Sequence, residues 1–164
     1  MRIAVLLMAI MAGLIVCRYK PEWTKIVLFV WVASVIWQAF LIRTPVLSPR
    51  YYLDLFHAVK LFMQYRCSNP KYARSFLEGA ILNILLFIPA GFLLPVAFKR
   101  LECCWKTILI GVVLSLGIEF VQLFTHLGIF DLDDLMNNTI GTWIGLNIYK
   151  RIIQTKQTDK NEKQ

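Results

Sequence analysis

Charged side chains are scarce, at 17% of 164 residues, where a water-soluble domain carries about 25%. Only 10 residues are acidic, and histidine occurs twice, as His57 and His126. There is no Gly-x-Ser-x-Gly, no His-Glu-x-x-His, no glycine-rich phosphate loop and no histidine pair suited to phosphatase chemistry. An enzyme built on this chain would have to work through carboxylates alone. The four cysteines, Cys17, Cys67, Cys103 and Cys104, offer no sensible disulfide pair, and the adjacent Cys103 and Cys104 lack a second Cys or His cluster to complete a metal site.

Apolar residues take the space. They make up 58% of the chain, with mean hydropathy +0.60, too many to hide in one water-soluble core. The reading is an all-α, polytopic transmembrane helical bundle of about five spans, or four if the first run does not span. No length remains for a separate soluble catalytic domain. The 18 basic residues give a net charge of +8. They lie between apolar runs, so membrane lipids and orientation account for them and nucleic acid is not expected as a partner.

Residues 1–22 form an N-terminal hydrophobic segment in which Ile3 to Val16 follows Arg2; no A-x-A cleavage site follows, so it reads as an uncleaved helix. Thr24 to Ile42 is an uninterrupted second span apart from Gln38. Residues 43–79 break the pattern with three prolines and eight charges, although Tyr51 to Met63 is amphipathic. Ala80 to Phe98 is a third span, expected to kink or break at Pro89, Gly91 and Pro95. Trp105 to Leu127 and Asn137 to Ile153 are the fourth and fifth, and 154–164 reads as a disordered cytoplasmic tail. Eleven of the 18 basic residues fall inside when the N-terminus is outside and the C-terminus in the cytoplasm, at the cost of six on the 43–79 loop outside.

Against this background a few polar residues stand out. Glu119 lies eight residues before the end of its span, about 12 Å inside the apolar boundary. An unpaired carboxylate there costs about 2.5 to 3.5 kcal/mol, so it must find a partner. Gln122 shares its helix face, and the next loop brings Asp131, Asp133 and Asp134, followed by Asn137 and Asn138. Span alternation puts Gln38 and Asn83 on the same side of the membrane, so the buried polarity converges on one half of the bilayer. Three readings stay open: a hard divalent cation held by carboxylates and amides, direct recognition of a headgroup or antibiotic, or a structural cluster with Glu119 paired to Arg50 or Arg74. Asp134 or Asn137 could also cap the fifth helix. No cofactor is expected beyond that cation. Gly141-x-x-x-Gly145, with Gly111, Ser115 and Gly117, suits close packing of the fourth and fifth spans, with a homodimer interface as the alternative.

Asn83-x-x-x-Phe87-x-Pro89-x-Gly91 and Ser115-x-x-x-Glu119-x-x-Gln122, followed by Asp131-x-Asp133-Asp134-x-x-x-Asn138-x-x-Gly141-x-x-x-Gly145, resemble the two motif blocks of the VanZ-like family. The similarity covers about 75–150 within a transmembrane domain of 23–153. Two departures are an extra N-terminal span and Gly128-Ile129-Phe130 where a basic residue often precedes the acidic motif. The resemblance implies a multi-pass protein of the bacterial cytoplasmic membrane, associated with lowered susceptibility to teicoplanin-type lipoglycopeptides. The resemblance supplies no mechanism; the polar residues themselves lead to the reading of a non-enzymatic protein whose outer-half cavity, formed by Asn83, Glu119, Gln122, Asp131, Asp133, Asp134 and Asn138, engages an envelope lipid or lipoglycopeptide. The alternatives are a carboxylate- or metal-dependent enzyme acting on a lipid headgroup, and a membrane scaffold.

Overall fold

The computed structural model describes residues 21–41, 51–102 and 104–161; the N-terminal run expected to form the first span lies outside them. The fold is all-α. Helix α1 spans Thr24–Ile36 and continues as a π-helical turn over Trp37–Leu41. Helices α2 (His57–Tyr65), α3 (Pro70–Ala97), α4 (Cys104–Thr125) and α5 (Leu132–Asn161) follow. A two-residue strand, β1 (Tyr51–Tyr52), pairs in parallel with β2 (Phe130–Asp131) and ties the segment before α2 to the segment before α5.

Residues 43–79 were expected to interrupt the helical pattern, and much of that stretch is helical instead. Pro70 does not break a helix but starts one. At the first helical position its missing N–H and fixed φ cost nothing, and the Asn69 side chain accepts from the Tyr72 N–H at 3.2 Å as the cap. Helix α3 therefore begins ten residues before its apolar run and continues unbroken for 28 residues through Pro89 and Pro95. The break expected at Pro89 is not there: Pro89, Gly91 and Pro95 are all buried, and packing on both sides holds the helix together. Helix α5 begins at Leu132, five residues before the expected start, and its backbone stays helical through Asn161, where a disordered tail was expected. The tail holds no glycine or proline, so a helix already nucleated upstream propagates into it.

Helix directions follow from pairs in contact. Ile84 lies against Gly141 and Ile88 against Gly145, so α3 and α5 run parallel. Ser115 meets Asn138 and Gly111 meets Thr142, so α4 runs antiparallel to α5. Helix α1 crosses α3 where the Trp31 indole N–H donates to the Leu86 carbonyl at 2.7 Å and the Trp31 ring meets Phe87 edge-on. The core gathers Trp31, Val35, Leu86, Phe87, Ala90, Phe92, Leu93, Leu146 and Tyr149.

The glycines on α5 correct the expected packing. A Cβ on Gly141 would collide with the Ile84 carbonyl, and one on Gly145 with the Ile88 carbonyl, both on α3. The Gly141-x-x-x-Gly145 face thus serves α3 rather than α4, and Gly91 on α3 faces Thr142 and Leu146 in return. Of the small residues on α4, Gly111 lies against Thr142 and Ser115 is buried, whereas Gly117 faces open space.

Among the described residues two helices, Pro70–Ala97 and Trp105–Thr125, are long and apolar enough to cross a membrane by length and composition. Helix α1 is apolar but shorter.

Candidate functional site

The acidic segment expected to be a loop is the start of α5, and three of its side chains have separate tasks. Asp131 is the cap of α5: its Oδ1 accepts from the Asp133 N–H at 2.9 Å, satisfying an amide that the helix leaves without a partner. The cap is therefore neither Asp134 nor Asn137. Burial pushes the Asp131 carboxyl above its ordinary value and the Asp133 charge adds to this, while the Asp133 N–H and the His57 imidazole pull it down.

Asp133 is buried and reaches across the fold. Its Oδ1 accepts from the Phe56 N–H at 2.6 Å and its Oδ2 from the Ala58 N–H at 2.9 Å. Those amides open α2, whose own capping position, Phe56, supplies no side-chain cap and sits at φ 60° in the left-handed region. A carboxylate from α5 does the capping in its place, and its charge opposes the positive end of the α2 dipole.

Asp134 accepts from the Asn83 amide at 2.5 Å, linking α5 to α3. Glu119, 2% exposed, accepts from the Asp131 N–H at 3.0 Å. The mid-helix carboxylate thus meets a backbone donor at the start of α5. Of the arginines expected to neutralise it, Arg50 lies outside the described residues and Arg74 lines a separate surface pocket with Lys71 and Glu78. Gln122 donates to the Ala39 carbonyl at 3.0 Å, inside the π-helical turn that ends α1; such turns recur at functional sites. Asn138 donates to Ser115 Oγ at 2.8 Å. Two of these amides keep a buried acceptor without a donor, Gln122 Oε1 and Asn138 Oδ1. For Gln122 the assignment is forced, because the Ala39 carbonyl can only accept.

These residues surround a cavity of about 260 Å³ between α1, α3, α4 and α5. Asn83, Glu119, Gln122, Asp134 and Asn138 line it, and so does Gln38. Asp131 and Asp133 do not. They border a second, wider cavity of about 860 Å³ between α2, the first turns of α3 and the start of α5, walled by Tyr52, His57, Tyr65, Tyr72 and Phe76. Asp134 and Gly79 border both. Pro89, Gly91, Gly141 and Gly145 take part in packing below these cavities and line neither. Among the described residues no group of three or more His, Cys, Asp or Glu converges in a metal-ligating arrangement.

Sequence reading missed Gly79 and the aromatic wall. The i, i+4 spacing of Tyr72 and Phe76 was the available signal for the wall; these rings meet edge-on at 4.9 Å, and Tyr65 joins them from α2 at 5.3 Å from Tyr72. Gly79 carried no signal, since an isolated glycine in a helix looks the same whether or not it borders a cavity.

His126 also has a structural task. With φ 54° it follows the last residue of α4, and the Leu127 N–H bonds back to the Gln122 carbonyl at 3.1 Å. This is a Schellman termination, in which glycine commonly occupies the left-handed position.

No solved structure matches the chain. Protein VanZ of Enterococcus faecium is 39% identical over 67 residues, 41% of each chain; the aligned part therefore spans about two fifths of that relative's length. The VanZ/LLP1 family model matches residues 4–154, which takes in the N-terminal run as well as the two motif blocks. The N-terminal segment is accordingly not an addition to the family pattern, and the chain belongs to the VanZ/LLP1 family.

Proposed function

We propose that this is a non-enzymatic, multi-pass protein of the bacterial cytoplasmic membrane, with five spans and an outer-half polar cavity that engages an envelope lipid or lipidated ligand. By that engagement it lowers susceptibility to teicoplanin-type lipoglycopeptides. The observation that carries the reading is the convergence of Gln38, Asn83, Glu119, Gln122, Asp134 and Asn138, drawn from four helical elements, on one cavity.

The distribution of polarity supports a membrane setting. Ser115, Glu119, Gln122, Asn137, Asn138 and Thr142 are buried, whereas Phe29, Val113, Phe124 and Trp143 point outward and are more than half exposed. Water would favour the reverse arrangement; lipid favours this one. The parallel course of α3 and α5, with α4 antiparallel between them, supports alternating spans. Family membership and the likeness to Protein VanZ support the link to teicoplanin. Teicoplanin carries an acyl chain, so a membrane-embedded protein can interfere with its anchoring and leave a non-lipidated relative unaffected.

The test is growth inhibition of a susceptible Gram-positive host expressing wild type, Glu119→Gln or Asp134→Asn at matched membrane levels. Protection is expected against teicoplanin, not vancomycin, and is lost in both variants. Equal protection against vancomycin overturns the anchoring argument, and full protection by both variants removes the cavity from the function.

A further inference from the structure

We infer that the inner cavity, the one of about 260 Å³, binds a neutral amphiphile through a hydroxyl group. This rests on the proposed function, in which the same cavity holds a ligand, and it names the chemistry of that ligand.

Buried polar groups in folded proteins are nearly always paired, so the exceptions carry information. Among the described residues three buried side-chain atoms have no hydrogen-bond partner, and two of them, Gln122 Oε1 and Asn138 Oδ1, belong to residues that line this one cavity. Gln122 is 1% exposed and Asn138 5%, so bulk water does not serve them. Both side chains are held by their other ends: Gln122 Nε2 donates to the Ala39 carbonyl at 3.0 Å and Asn138 Nδ2 to Ser115 Oγ at 2.8 Å. The two oxygens are therefore fixed acceptors, and leaving each unmet costs about 1 to 3 kcal/mol. A ligand that donates to them removes that cost.

The donor is neutral. The carboxylates of the cavity are already engaged, Glu119 with the Asp131 N–H and Asp134 with the Asn83 amide. What remains to be met is amide oxygen, which carries no charge. An ammonium here would lose its hydration and would have to displace the donors those carboxylates hold. A hydroxyl meets an amide oxygen without either penalty. The rest of the wall is apolar, formed by Val35, Leu82, Leu86, Phe87 and Ile118, which suits a hydrocarbon chain beside the hydroxyl. At about 30 Å³ per water the cavity has room for about eight waters. That is enough for a hydroxylated headgroup with its first carbons and too little for a whole glycopeptide.

The experiment uses the full-length protein in an amine-oxide detergent, which brings no hydroxyl of its own, with affinity read by calorimetry. The probes are 1-octanol and 1-fluorooctane, which share a shape but differ in the donor, together with octylammonium and glycerol. Octanol is expected to bind about tenfold or more tightly than fluorooctane, the equivalent of one met acceptor. Octylammonium, which adds charge, and glycerol, which lacks the chain, are each expected to bind more weakly than octanol by about fivefold or more. Gln122→Met removes one acceptor and is expected to bring octanol to within about twofold of fluorooctane. The comparison of probes on wild type needs no variant, so it decides even where Gln122→Met does not fold. Equal affinity for octanol and fluorooctane, tighter binding of octylammonium, or glycerol binding as tightly as octanol overturns the inference. If octanol and fluorooctane bind alike while teicoplanin protection is still lost in Glu119→Gln, the proposed function stands and this inference falls. If no probe binds and protection is independent of Glu119 and Asp134, both fall.

Discussion

Replacing Asp133 with asparagine should release α2 from the rest of the fold. The helix has nine residues, too few to persist alone in water, and its first amides have no local acceptor. Both oxygens of a buried carboxylate serve them, at 2.6 and 2.9 Å. Asparagine keeps one acceptor but turns an NH2 toward a backbone N–H, so one amide loses its partner and the other loses the charge. A lost cap costs about 0.5 to 2 kcal/mol and loss of the charge at the helix dipole about 0.3 to 1 kcal/mol more. The left-handed Phe56 makes the turn depend on such contacts, since a non-glycine residue there costs about 1 to 2 kcal/mol, which the Asp133 bonds help to offset. A combined loss of about 1 to 3 kcal/mol is expected, which is roughly a five- to hundredfold change in an equilibrium constant.

The change should be local, because α3, α4 and α5 keep their own contacts. Amide hydrogen exchange by mass spectrometry in detergent reads it directly: peptides covering 54–66 should exchange about five- to a hundredfold faster, while peptides from 84–94 stay within about twofold of wild type. Asp134→Asn is the control one residue away, since its carboxylate accepts from Asn83 on α3. Phe56→Gly should slow exchange in the same peptides. If Asp133→Asn leaves 54–66 within twofold of wild type, the capping argument is wrong.

Gly145→Ala drives a Cβ into the Ile88 backbone and should cost about 1 to 3 kcal/mol, whereas Gly79→Ala and Gly117→Ala enter open space and should gain up to about 1 kcal/mol each; melting temperatures in one detergent rank the three. His126→Gly should stabilise by up to about 1 kcal/mol by relieving the left-handed position, and a drop in melting temperature would contradict the termination assigned to α4. Because burial raises the Asp131 carboxyl above its unfolded value of 3.8, its contribution to stability is present below that pH and fades as pH rises through the higher folded value. Asp131→Asn keeps a capping oxygen and does not titrate, so the variant should gain on wild type as pH rises from about 4 to 7; parallel stability profiles would contradict the assignment.

Part of the cavity was legible because a polar side chain inside a long apolar run is expensive to bury. Glu119 at mid-helix had no cheap explanation, the alternation of the apolar runs put Gln38 and Asn83 at the same end as Glu119, and the segment after the acidic residues added Asn138; all four line the cavity. What could not be read was which partner each group takes. The bond from Asp133 to Phe56 joins residues 77 apart in sequence, and nothing in either neighbourhood announces it. Helix faces were ambiguous for a related reason: Gly141 and Gly145 had two neighbouring helices to pack on, and the complementary signal, Gly91 opposite Thr142 on α3, carries no marking in the sequence beyond one more glycine. Boundaries failed where one residue type has two meanings. Asp-Leu-Asp-Asp reads as a polar loop, yet acidic residues also favour the first turn of a helix, and here the second meaning holds. Pro70 reads as a breaker unless Asn69 before it is recognised as a cap.

The separation of tasks among the four carboxylates bears on function more than their proximity does. Asp131 and Asp133 stand outside the inner cavity, and the bonds they accept start α5 and dock α2. Glu119 also accepts a backbone bond, but from within the cavity. It therefore couples the position of the Asp131 segment to whatever occupies the space beside Gln122 and Asn138. A ligand that donates to those two amide oxygens would change the electrostatics around Glu119, and through the Asp131 N–H would bear on the start of α5. By the adjoining Asp133 it would bear on α2 as well. The β1–β2 pairing closes the same loop, since Tyr52 is in register with Asp131. The two cavities thus meet at a single four-residue segment, Asp131 to Asp134, whose last residue borders both. That is a physical reason for an acidic motif at the start of α5 that does not depend on any of its carboxylates performing chemistry.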